Sequence, residues 1–76
     1  MMKEVIQNII QGLVLKQLGE DDALISSGLI DSVIIIELIL EIEQKLELIV
    51  DLSEVTEQNF DSINKLHQFL LRKSQL

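Results

Sequence analysis

Residues 27–46 read Ser27-Gly28-Leu29-Ile30-Asp31-Ser32-Val33-Ile34-Ile35-Ile36-Glu37-Leu38-Ile39-Leu40-Glu41-Ile42-Glu43-Gln44-Lys45-Leu46. From Asp31 onward the stretch contains neither Gly nor Pro, and it predicts a helix beginning near Asp31-Ser32 and running to about Leu46. At about 100° per residue, Ile35, Leu38, Ile39, Ile42 and Leu46 fall on one stripe, the expected core face. Val33, Ile36 and Leu40 fall on the other side, flanked by Glu37, Gln44 and Glu47. One apolar face builds a fold, and the second requires another explanation.

Toward the N-terminus, residues 3 to about 18 (KEVIQNIIQGLVLKQL) place Ile6, Ile9, Ile10 and Leu13 at helical spacing. Gly12 weakens that helix by ~1 kcal/mol relative to Ala. Gly19 is the expected stop, and Glu20-Asp21-Asp22 opens a polar loop. Leu24, Ile25, Leu29 and Ile30 are expected to pin the loop to the core. Past the long helix, Leu48-Ile49-Val50 reads as a short extended or irregular stretch. Asp51 or Ser53 could cap a helical turn containing Val55. Phe60 then precedes a last helix of roughly ten residues with Ile63, Leu66 and Leu70 inward, and Arg72 and Lys73 complement its dipole. The expected architecture is all-α: one domain over residues 1–76, a small four-helix bundle of three longer helices and a short one.

Composition agrees and excludes much else. The 76 residues are 47% hydrophobic but only 3% aromatic, too apolar for a disordered chain. A chain this short buries only about 60% of its unfolded surface, leaving little room for an enclosed cleft. With no Pro and three Gly, an all-β chain rich in turns is not expected. No Cys is present, so thiolate metal sites and thiol chemistry of the protein's own are excluded. Six basic residues scattered among thirteen acidic ones, for a formal net charge of -7, form no stripe for nucleic-acid phosphates. Basic patches on protein partners are the expected complement. No run approaches the ~18 apolar residues of a membrane span. Gln7, Asn8 and Gln11 interrupt any signal-peptide pattern, so a cytoplasmic protein is expected.

Catalytic groups are scarce. His67 is the lone His, on an amphipathic helix between Ile63 and Leu71, and reads as a boundary residue. Glu37 and Glu41 lie at i, i+4 without a third ligand on that face, so no metal site is assigned. A self-contained enzyme is not expected.

The segment Ser27-Gly28-Leu29-Ile30-Asp31-Ser32, leading into the acidic helix, resembles the attachment motif of the acyl carrier protein family and its peptidyl and aminoacyl relatives. The likeness spans most of the chain, through Asn59-Phe60-Asp61-Ser62-Ile63. It implies that Ser32, preceded by Asp31, receives 4′-phosphopantetheine from coenzyme A through a phosphopantetheinyl transferase. It also implies the bundle fold of that family. An acyl or aminoacyl cargo would be carried as a thioester, supplied by a cargo-loading ligase or acyltransferase and passed to downstream biosynthetic enzymes. The protein itself would be non-catalytic. Helix chemistry is compatible, because the N-terminal amides and dipole tolerate a phosphodiester. Read without the resemblance, Asp31 or Ser32 is an N-cap in the first place, and the resemblance is what turns the reading of Ser32 to attachment. Asp61-Ser62 is a second Asp-Ser pair, but it leads into Lys65, His67, Arg72 and Lys73 with no Gly just upstream, and is read as a cap.

In a carrier the second face becomes a docking surface. Val33, Ile36 and Leu40 would anchor partner enzymes, and Glu37, Glu43 and Glu47 would meet their Arg or Lys. The alternative is that Val33, Ile36 and Leu40 pack under the loop of residues 20–30. The wording Gly-Leu-Ile-Asp-Ser is similar to free-standing carriers, D-alanyl carriers among them. Val33 and Ile34 replace the Leu and the acidic or small polar residue usual in fatty-acid carriers, and the Gly-Gly-His-Ser pattern of modular peptide synthetases is missing. A monomer with transient partners is expected. The competing reading is a small acidic helical adaptor that binds a partner without any prosthetic group.

Overall fold

The computed structural model describes residues 1–75, so the last residue of the expected domain lies outside the described residues. The helices are α1 (Met2–Val14), α2 (Ser32–Leu46), α3 (Glu57–Phe60) and α4 (Ile63–Ser74), with a 3₁₀ turn at Leu52–Glu54. Helix α1 packs against both α2 and α4, and α3 packs against α4. The result is the all-helical bundle, three long helices and one short, that the apolar spacing predicts.

The shared core explains each inward stripe. Ile6, Ile9 and Ile10 of α1 meet Leu38 and Ile42 of α2 and Ile63, Leu66, Phe69 and Leu70 of α4. Ile35, Ile39 and Leu46 flank the α2 stripe half-buried, because the helix is gripped along one narrow line. Leu24 and Ile30 are buried and pin the long loop as expected, with Ile25 and Leu29 half-buried beside them. His67 is half-buried at the bundle margin. No helix among the described residues is long and apolar enough to cross a membrane.

The first helix differs from expectation. It stops at Val14, with Leu15 left-handed at φ 55°, instead of continuing to about residue 18. The cause lies in two glutamines. Gln11 Oε1 accepts the Leu18 N–H at 2.9 Å, and Gln7 Nε2 donates to the Leu18 carbonyl at 3.2 Å. These side chains supply Leu18 with backbone partners outside the helix and let its side chain turn into the core. Gly19 is therefore no helix stop. It begins a tight turn in which its N–H donates to Asp22 Oδ2 at 2.8 Å.

The second connection follows the sequence more closely. Asp51 is the residue before the 3₁₀ turn, its N–H donating to Glu54 Oε1 at 2.9 Å, and Val55 falls just after the turn instead of within it. Lys73 of α4 reaches the same carboxylate at 2.9 Å and lies 5.8 Å above the Phe69 ring. One glutamate thus ties the turn to the last helix.

Candidate functional site

Asp31 and Ser32 are adjacent but play different parts. Asp31 is the N-cap of α2: its backbone is extended and its Oδ1 accepts the Ile34 N–H at 2.9 Å. Its carbonyl accepts the Ile35 N–H at 2.9 Å. Of the two capping candidates, Asp31 is the one used. Ser32 is the first helical residue, exposed, and its hydroxyl is not needed for the cap.

This division suits a phosphate-bearing group. Asp31 satisfies the amides of Ile34 and Ile35, which leaves those of Ser32 and Val33 as the orphan donors of the first turn. They add to a helix-end charge of about +0.5. The chain approaches through Gly28, whose φ of +80° a side chain would strain. An exposed hydroxyl on a capped helix start, with free amides beside it, fits a covalent phosphodiester.

The second Asp-Ser pair differs in burial. Ser62 is 5% exposed, and its Oγ accepts the Lys65 N–H at 3.0 Å, so Ser62 is the cap of α4 as expected. Asp61 takes no part in that cap, which corrects the reading of the pair as a capping unit. Its Oδ1 accepts the N–H groups of Leu24, Ile25 and Ser26 at 3.1, 2.7 and 2.8 Å, and its Oδ2 accepts the Ser26 hydroxyl at 2.8 Å. The short Asp side chain offered no hint in the sequence of partners more than thirty residues away.

On the outward side of α2, Val33 is 63% exposed, and Ile36 and Leu40 are each 52% exposed. They do not pack under the loop of residues 20–30. A shallow apolar groove runs between α2 and the following segment, lined by Ile36, Ile39, Leu40, Val50 and Leu52. Leu52 is exposed and belongs to this lining, an addition that helical spacing could not show because it lies outside α2. Glu37, Glu43 and Glu47 are exposed around it and make no ion pair among the described residues. Glu41 is engaged by Lys45 at i, i+4.

Two carboxylates titrate abnormally. The N–H of Ser26 and then its hydroxyl hold Asp61 below the usual carboxylate range, with smaller help from Ile25 and Leu24. The Asp51 N–H and then Lys73 do the same for Glu54. A depressed folded-state pKa contributes stability that is complete above the unfolded value and disappears as pH falls through the folded one. Urea midpoints are therefore expected to hold steady from neutrality to about pH 4–5 and to fall below that. The double variant Asp61→Asn, Glu54→Gln is expected to lose less midpoint than wild type over the acid range. Equal acid slopes for the two proteins would refute this assignment.

Comparison with known proteins shows the family. Residues 4–70 match the family described as "Phosphopantetheine attachment site". Two proteins named D-alanyl carrier protein, from Streptococcus suis strains 98HAH33 and 05ZYH33, are 36% and 34% identical over 67 residues, covering 86% of this chain and 85% of each relative. With its capped helix start and family match together, the chain belongs to the phosphopantetheine-attachment family, as a non-catalytic carrier protein whose covalent cofactor is 4′-phosphopantetheine.

Proposed function

We propose that Ser32 is the hydroxyl that receives the prosthetic group and that the cargo is an aminoacyl group of the D-alanyl kind. The observation that carries the first part is the separation of roles at the start of α2: Asp31 caps, and Ser32 stands exposed beside two orphan amides. The second part is supported by the similarity to D-alanyl carrier proteins. When attached, the group supplies the thiol that holds cargo as a thioester, which is why the protein needs no Cys. The chain's own residues supply the tether point and the recognition surface. Residues 1–76 act as one monomeric, cytoplasmic carrier domain.

A carrier works through partner enzymes, among them a transferase that installs the group and a ligase that loads cargo. Val33, Ile36 and Leu40 anchor those partners, and Glu37, Glu43 and Glu47 meet their basic residues. An adaptor without a prosthetic group would account for this surface but not for the family match.

The test is intact-mass analysis after incubation with a phosphopantetheinyl transferase and coenzyme A, followed by a D-alanine-activating ligase with ATP. One prosthetic group located at Ser32 and one D-alanyl group on it are expected. An unchanged mass, or a group elsewhere, would defeat the attachment assignment. A group at Ser32 that refuses D-alanine but accepts fatty acyl chains would defeat the cargo assignment.

Docking has its own expected result. Ile36→Asp should raise the loading enzyme's KM for the carrier by about tenfold, the equivalent of ~1.4 kcal/mol. Its melting temperature should stay near wild type, because Ile36 is half in solvent. Glu43→Lys and Glu47→Lys should act mainly on association rate, with a weaker effect in high salt. A wild-type KM for Ile36→Asp would remove this face from the interface.

A further inference from the structure

We propose that Asp61 is a positioning residue for prosthetic-group attachment, acting as a clasp that holds the loop leading to Ser32 against the corner between α3 and α4. The proposal rests on the reading of Ser32 as the modified hydroxyl.

Three consecutive amides, those of Leu24, Ile25 and Ser26, converge on Asp61 Oδ1, and the Ser26 hydroxyl completes the grip on Oδ2. This is the arrangement of an N-cap, but the cap comes from a distant part of the chain. The Leu24 N–H also meets the Asp61 carbonyl at 2.9 Å. Bonds to an ionised carboxylate are stronger than neutral ones, so this is a firm polar link between the loop and the corner.

The link continues to the site. The Leu24 carbonyl accepts the Ile30 N–H at 3.0 Å, and the Ile25 carbonyl accepts the Gly28 N–H at 3.0 Å. Residues 24–30 thereby close on themselves, with Leu24 and Ile30 both buried as feet of the closed segment. Ile30 immediately precedes Asp31, the cap of α2. Holding Leu24 therefore fixes Ile30, then the cap, and finally the first turn on which Ser32 stands.

Loss of Asp61 should loosen this segment without dissolving the fold. Asn64 still ties Glu20 and Asp21, through bonds of 3.0 and 2.8 Å, and the two apolar feet remain. A transferase would then meet the competent loop for only a fraction of the time, and its apparent affinity would fall by that fraction. Once bound, the site would be restored. The signature is a rise in KM at nearly constant kcat.

The experiment measures transferase kinetics with coenzyme A on full-length wild type, Asp61→Ala and Asp61→Asn, with the folded state of each verified by circular dichroism. Asp61→Ala should raise KM by about threefold or more and leave kcat within about twofold. Asp61→Asn keeps an acceptor for the amides and should recover part of the loss. In wild type, hydrogen exchange at Leu24, Ile25, Ser26 and Ile30 should report one common opening. A folded Asp61→Ala with wild-type KM, or Ile30 exchanging independently of Leu24–Ser26, would overturn the clasp. If Asp61→Ala does not fold, Asp61→Asn and the wild-type exchange pattern decide by the same criteria. A wild type modified at another residue would bring down the attachment reading and the clasp with it, whereas modification at Ser32 with an unmoved KM would bring down the clasp alone.

Discussion

Ser32→Ala is expected to take up no prosthetic group while keeping the wild-type fold. On the proposed assignment the effect on function is total, because the oxygen assigned as acceptor is gone and the protein has no thiol that could take its place. The effect on stability is small: Ser32 is exposed and Asp31 supplies the cap, so the change should lie within about 0.5 kcal/mol. Ser62→Ala provides the mirror image. That residue is buried and caps α4, so its loss should cost ~1 kcal/mol or more while modification proceeds normally. Intact mass and urea denaturation of the two variants give a crossed result that neither a purely capping Ser32 nor a second attachment site at Ser62 could produce. Modification surviving in Ser32→Ala would refute the assignment outright.

Phe60→Ala should be the most damaging single change to the fold. Phe60 is 1% exposed, and its ring lies 5.8 Å from that of Phe69 at an angle of 49°. Truncating a buried Phe costs about 3–5 kcal/mol, and a tilted aromatic pair of this kind contributes about 0.5–1.5 kcal/mol beyond buried area. Small domains sit near the low end of the usual ~5–15 kcal/mol of stability. Much of the Phe60→Ala population should therefore be unfolded at ambient temperature, seen as lost helical signal and a collapsed urea midpoint. The consequence reaches the site, because Phe60 supports the corner from which Asp61 holds the loop before Ser32. A wild-type midpoint for Phe60→Ala would show that this corner is not packed as described.

Apolar periodicity was a reliable guide where a helix meets the core along one line. Ile6, Ile9 and Ile10, then Leu38 and Ile42, then Ile63, Leu66 and Leu70 all lie where their spacing placed them. The start of α2 was legible for a local reason: an Asx cap bonds three residues ahead, so Asp31 and Ile34 are close in sequence as well as in space. The same locality made the exposed side of α2 visible, since Val33, Ile36 and Leu40 share a face of one helix.

What escaped was decided between distant segments. The early stop of α1 depends on Gln7 and Gln11 reaching Leu18, and no propensity of residues 15–18 announces it. Leu52 joins the apolar surface only because the segment after α2 folds back beside it. Asp61 and Ser62 look like one cap in sequence, and packing separated them, burying the hydroxyl at a helix start and turning the carboxylate toward Leu24, Ile25 and Ser26. Bonds within a few residues follow from backbone geometry that local sequence specifies, whereas a side chain that serves another segment finds its partner only after the hydrophobic core has brought the two together.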